Sequence, residues 1–224
     1  MNFSIQQSIA CYLLFILSNS IHEFSHALVA YLFGDHTAKD YGRLTLNPIA
    51  HLDWIGSVFI PLLMVMVPNG ISIIGWGKAV PVNIYNFKHR ALGDICTSLA
   101  GPLSNLITAI FLAIISCLPM MRYNSNLGEL LEFAIIINIS IAVFNLLPLP
   151  PLDGSHLLRY LINMREETFI IVAHWSYLAL FILVNMQQFR ILFGHIINYI
   201  FWHIIYISSM IVGFAGDILF YFTG

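Results

Sequence analysis

The chain has 224 residues, of which 59% are hydrophobic and only 9% charged, with a formal net charge of −2. A soluble domain carries about 25% charged residues, so a water-exposed globule is excluded, and the small negative charge offers nothing to nucleic acid. The expectation is an all-α polytopic membrane protein with five to six transmembrane helices, whose first partner is the lipid bilayer.

A span needs about 20 apolar residues. The first is predicted over 6–33 and contains "ACYLLFILSNSIHEFSHALVAYLF"; it lacks a basic n-region and does not read as a cleavable signal. A polar stretch, "GDHTAKDYGRLTLNPIAHLD", follows. The next apolar run, 55–75, is broken by Pro61 and by the turn signal "VPNG", and "ISIIGWGKAVPVN" after it reads as extended chain. A re-entrant or β-hairpin segment is therefore expected near 55–85. Further spans are predicted at 94–118, 130–148, 168–187 and 191–214. Cys11, Cys96 and Cys117 have no metal-site spacing and read as buried free thiols. With no repeat and no low-complexity linker, residues 1–224 read as one membrane-embedded domain. Its core covers about 6–160, and its C-terminal helices about 168–214.

Charge orients these spans. If 55–75 does not cross, Lys39, Arg43, Lys78, Lys88, Arg90, Arg159 and Arg165 lie on one side, against Arg122 and Arg190 on the other. If it crosses, the nine cations divide almost evenly. The positive-inside rule favours the first arrangement: five full spans, N-terminus outside, C-terminus and the seven cations in the cytoplasm.

Within the first span, "HEFSH" places His22 and His26 four residues apart, on one face of a helix. Two imidazoles at that spacing can share one metal ion. Glu23 is rotated about 100° from His22, where it can act on a water without ligating the ion. This is the H-E-x-x-H arrangement of zinc hydrolases. A carboxylate and two imidazoles at membrane depth need a specific partner, and a divalent cation supplies one. Catalytic zinc takes three protein ligands and keeps a fourth position open. Asp94, Glu129 and Glu132 fall at span ends, where water solvates them. Asp153 instead sits in "NLLPLPPLDGSHLL", where Pro148, Pro150 and Pro151 force non-helical backbone. Such chain at membrane depth belongs beside protein or a polar cavity, and Gly154 gives it freedom to turn Asp153 toward a ligand. The alternative for Asp153 is an N-cap on a helix over 155–162. The arrangement with seven cations inside also brings Asp153 to the histidines' side of the membrane.

These motifs resemble the site-2 protease family of intramembrane zinc metalloproteases. "HEFSH" is similar to its first motif, "NLLPLPPLDG" to its second and "AGPLSN" to its G-P-x-x-N motif. "GRLTLNPIAHLDWIGS" and "GWGKAVPVNIYNF" resemble the short bacterial branch without PDZ or CBS domains, although Trp54 and Ile84 stand where that branch usually has proline. The resemblance covers about 15–160. It implies one Zn2+ per chain, held by His22, His26 and Asp153, with Glu23 as general base. It also implies that Asn105 and Asn145 hold substrate backbone or the developing oxyanion; a helix–helix hydrogen bond is the other reading of each. His156, His174, His195 and His203 read as surface, packing or interfacial residues.

The implied activity is hydrolysis of peptide bonds within or near transmembrane segments of other membrane proteins, in a bacterial inner membrane, with the active site toward the cytoplasm. Selectivity comes from the core or from an accessory membrane protein. Oligomeric state is not legible. Two other classes stay open: a zinc carrier or sensor that binds without hydrolysis and needs no Glu23, and an inert scaffold that tolerates loss of His22 or Asp153.

Overall fold

The computed structural model describes residues 5–59, 76–118, 121 and 125–223. Six helices of eight or more residues follow in chain order: α1 (Ile5–Leu32), α2 (Arg90–Ser116), α3 (Ser125–Asn145), α4 (Gly154–Leu161), α5 (Glu166–Asn185) and α6 (Gln187–Thr223). Five helices among the described residues, all but α4, are long and apolar enough to cross a membrane. The protein is a multi-pass, all-α membrane protein.

Helices α1, α2 and α3 pack on one another, α6 lies against α2 and α3, and α5 touches α6. In lipid, packing rather than hydrophobic exclusion joins helices, and small residues let backbones approach. The contact stripes follow this rule. Ala27 and Ala30 on α1, Ala109 and Ala113 on α2 and Ala142 on α3 are fully buried. The apolar core is Ala109 and Ala113 against Ile135 and Ile139 of α3 and Phe201 of α6. On α2 the buried positions include Asp94, Thr97, Ser98, Gly101, Asn105, Ala109 and Ala113, mostly three or four apart, so one polar-to-apolar stripe faces inward.

Helix ends are closed by local chemistry. After α1, Gly34 adopts φ +104°, Asp35 N–H donates to Ala30 O and Gly34 N–H to Tyr31 O, the paired bonds of a Schellman cap. Asn163, at φ 49°, makes the same pair after α4, through Met164 to Arg159 O and its own N–H to Tyr160 O. Between α1 and α2 the chain makes one turn at Thr37–Asp40, then a loop in which the Arg43 side chain donates to Ala50 O.

The expected β-hairpin is absent among the described residues of 55–85. Trp54–Phe59 forms a π-helical turn, and 76–83 is extended without a strand partner. Residues 60–75, which carry most of the expected re-entrant segment, lie outside the described residues. The extended chain at 76–83 is nevertheless anchored. Trp76 N–H donates to Gly56 O (3.3 Å), Lys78 N–H to His51 O (2.9 Å), Val80 N–H to Glu23 Oε2 (2.8 Å) and Asn83 N–H to Asp35 Oδ2 (2.7 Å). In extended chain alternate N–H groups point the same way, so residues 76, 78 and 80 present one edge inward. The segment is a strap laid across the C-terminal part of α1.

Candidate metal centre

Helix α1 delivers both histidines to one spot. His22 and His26 are 3% and 8% exposed, and their Nε2 atoms are 3.0 Å apart. Asp153 arrives from the other side, at the end of the loop after α3. That loop lacks three N–H donors at its prolines and closes through Leu149 N–H to Leu147 O and Leu152 N–H to Leu149 O. It folds back so tightly that a Cβ on Gly154 would lie 2.2 Å from Leu146 O. Close backbone approach, rather than a left-handed φ, is therefore what requires glycine there. Asp153 occupies the N-cap position of α4 but makes no side-chain cap hydrogen bond. Its Oδ2 lies 3.2 Å from His22 Nε2 and 3.3 Å from His26 Nε2.

Three atoms thus form a nearly equilateral triangle, and their chemistry decides what belongs between them. His26 Nδ1 is 2.6 Å from Thr97 O, and His22 Nδ1 is 2.7 Å from Asn105 Oδ1. Both partners are acceptors, so both Nδ1 atoms carry hydrogen, and in the neutral rings both Nε2 atoms present lone pairs. With the rings neutral, two lone pairs and a carboxylate oxygen face one another, and Asp153 Oδ2 is buried without a hydrogen-bond partner. A divalent cation held between them satisfies all three. Three ligands of tetrahedral zinc at about 2.0–2.1 Å lie about 3.3 Å apart, which matches the observed edges. His22, His26 and Asp153 are the one such ligand group among the described residues.

Helix α2 builds the wall behind the ligands with residues spaced at four. Thr97 O orients His26, Asn105 orients His22, and Gly101 lies between them. A Cβ on Gly101 would stand 2.4 Å from His26 Nε2 and 2.6 Å from His22 Nε2. Glycine keeps the space at the ring nitrogens open.

Glu23 is 8% exposed and stands outside the ligand group; its Oε2 accepts the Val80 N–H of the strap. Asn105 is fully buried, with its oxygen on His22 and its NH2 on Ser18 O (3.1 Å) and Asn138 Oδ1 (2.9 Å). Asn145, half-buried at the end of α3, donates to Ile141 O at 3.0 Å. Asp94, expected in water, is instead 2% exposed. The span end is covered by α4: Tyr160 donates to Asp94 Oδ2 at 3.0 Å, and His156 Nδ1 lies 3.0 Å from Oδ1. Burial and the Asp94 carboxylate push the Tyr160 phenol up to about 12. Asp94 therefore ties α4, the helix that follows Asp153, to α2. Neither Asp94 nor Asn138 stood out in the sequence as a site residue. For Asn138 the signal was a lone amide in the apolar run "FAIIINISIAVF".

The fold and this donor set define a membrane-embedded zinc hydrolase of the site-2 protease type. The family described as Peptidase family M50 matches residues 120–186, which include Asp153. Relatives carrying the name "Putative zinc metalloprotease" match more of the chain. YwhC of Bacillus subtilis is 41% identical over 154 residues, covering 66% of each protein. Rip2 of Mycobacterium tuberculosis H37Rv is 30% identical over 187 residues, 84% of this chain and 70% of its own. Rip2 of Mycolicibacterium smegmatis is 27% identical over 204 residues, 91% of this chain and 76% of its own. No solved structure matches. The chain belongs to the M50 family of zinc metalloproteases, the site-2 protease-like peptidases.

Proposed function

We propose that this protein is an intramembrane endopeptidase that cuts transmembrane segments of other membrane proteins, in a bacterial inner membrane, with its site toward the cytoplasm. The observation that carries the hydrolytic reading is the convergence of the His22, His26 and Asp153 ligand atoms, beside a carboxylate outside that group. Bound zinc supplies a Lewis acid and a water of lowered pKa. Family membership and the bacterial relatives support the setting. Residues 1–224 act as one domain in this reading.

Glu23 is the general base. It takes a proton from the attacking water and returns it to the leaving amine. Its Oε2 is held by the Val80 N–H at 2.8 Å, which fixes the carboxylate and leaves Oε1 for the water. Asn145 is the substrate or oxyanion donor. Asn105 acts through His22, because its oxygen and both its donors are already engaged. A helical substrate hides its peptide bonds and must unwind locally. The outward edge of the strap, at Gly77 and Ala79, offers backbone groups to such an unwound stretch by strand addition.

The cellular test compares membrane proteomes of wild-type and Glu23→Gln cells. An uncut or half-cut membrane protein accumulates in the variant; indistinguishable proteomes would count against proteolysis and favour zinc carriage.

A further inference from the structure

His26 and His22 are oriented by different means. His26 Nδ1 meets a backbone carbonyl, which can only accept, so its tautomer is settled by one contact. His22 Nδ1 meets a side-chain amide, whose oxygen and nitrogen could exchange places. If the NH2 of Asn105 faced His22, the proton would move to Nε2 and that atom could not ligate a metal. Something must hold the amide the right way round.

We propose that Asn138 is a positioning residue for the metal centre, the anchor of a relay from α3 through Asn105 to His22. The orientation of each amide follows from a backbone carbonyl on its nitrogen, a group that can only accept. Asn138 Nδ2 lies 2.8 Å from Ala134 O and 2.9 Å from Ser18 Oγ, so its Oδ1 must face Asn105. That oxygen lies 2.9 Å from Asn105 Nδ2, which is also 3.1 Å from Ser18 O. The Asn105 oxygen is left to face His22 Nδ1 at 2.7 Å, and His22 Nε2 keeps its lone pair for zinc. Ser18, Asn105 and Asn138 are 4%, 0% and 2% exposed, at a depth where no water replaces a lost partner. Ser18 O is a weak substitute for Asn138, because as a helix carbonyl it also serves the His22 backbone N–H. One helix therefore braces His22 from behind and, through the loop at its end, presents Asp153 from the front.

The proposal rests on the zinc assignment and not on proteolysis, so its test uses the metal alone. The full chain is purified in detergent and zinc affinity is read by competition with a chromophoric chelator. Loss of a partner behind a metal ligand typically weakens binding about 10- to 100-fold, and Asn138→Leu is expected to do so. Asn138→Asp, neutral at that depth, keeps an acceptor for Asn105 and should weaken binding by less than about fivefold, on the same scale. Ser176→Ala, which removes a buried hydroxyl from α5, should leave affinity unchanged. The Co2+-loaded protein should change its visible spectrum in Asn138→Leu and keep it in Ser176→Ala. Asn138→Ala, which adds no bulk, carries the test if Asn138→Leu does not fold. Wild-type zinc affinity in either folded variant, with only the melting temperature lowered, overturns the relay. A wild-type chain that takes up no zinc would instead overturn the functional reading itself.

Discussion

At the scale of single residues the site is built by exclusion as much as by ligation. Gly101 is the clearest case. Alanine is the better helix former by about 1 kcal/mol, so helix propensity alone predicts that Gly101→Ala stabilises α2. The added Cβ would stand 2.4 Å from His26 Nε2, a distance that a close-packed interior does not absorb. Gly101→Ala is therefore expected to fold yet hold far less than one zinc per chain, as measured by metal analysis of the purified protein. Full zinc content would show that the space at the ring nitrogens is not where the ion sits. Val80 tests the base without touching the metal. Pro81 already confines Val80 to extended backbone, and Val80→Pro removes its N–H while fixing φ at about −65°. A hydrogen bond to a charged group contributes about 1.5–3 kcal/mol, so turnover should fall about 10- to 100-fold with zinc retained. An unchanged rate would mean that the strap does not orient Glu23.

At the scale of elements, the strap is pinned to α1 through Asp35. That carboxylate is fully buried and accepts from Thr37 N–H and Oγ1, from Asn83 N–H and from Asn86 Nδ2. Burial alone would raise its pKa, but these donors outweigh burial and hold it below the usual carboxylate range. A depressed folded-state pKa contributes stability above the unfolded value of about 3.9 and loses it as pH falls through the folded value. Asp35→Asn should therefore lower the melting temperature at pH 7, and the gap from wild type should narrow below about pH 4. A gap independent of pH would mean that the charge contributes nothing. The transmembrane helices themselves were legible in the sequence because lipid demands long apolar runs, and all five bounded runs became helices. The strap was legible only as extended chain. Its anchors are backbone N–H groups, which carry no side-chain signature, and its acceptors Glu23 and Asp35 lie far away in sequence. His22, His26 and Asp153 were legible because the His spacing and the proline cluster are local patterns. Asn138 and Asp94 were not, because their roles depend on partners on other helices, and a lone polar residue in a span does not say which neighbour it meets.

At the scale of the whole molecule, the charge pattern predicts which side of the membrane the site serves. Seven cations and the Asp153 loop share the cytoplasmic side if 60–75 does not cross. Single cysteines near Lys39, Lys88 and Arg165, in a background lacking Cys11, Cys96 and Cys117, should resist an impermeant external thiol reagent, while one near Arg122 reacts. Opposite labelling of the positions near Lys39 and Lys88 would mean that the chain crosses between them. Lys88 N–H donates to Phe33 O just after α1, a contact that joins the chain before 60–75 to the chain after it.

The central claim, that the His22–His26–Asp153 centre serves hydrolysis with Glu23 as base, is tested most directly by purified protein in detergent and a reporter transmembrane helix. Wild type and Glu23→Gln are compared at matched zinc content. Wild type should cut the helix, and the variant should hold about one zinc per chain while cutting about a hundred- to ten-thousand-fold more slowly. Equal rates, or zinc-loaded wild type that leaves every helical substrate from its own membrane intact, would contradict the account and hand the site to metal carriage.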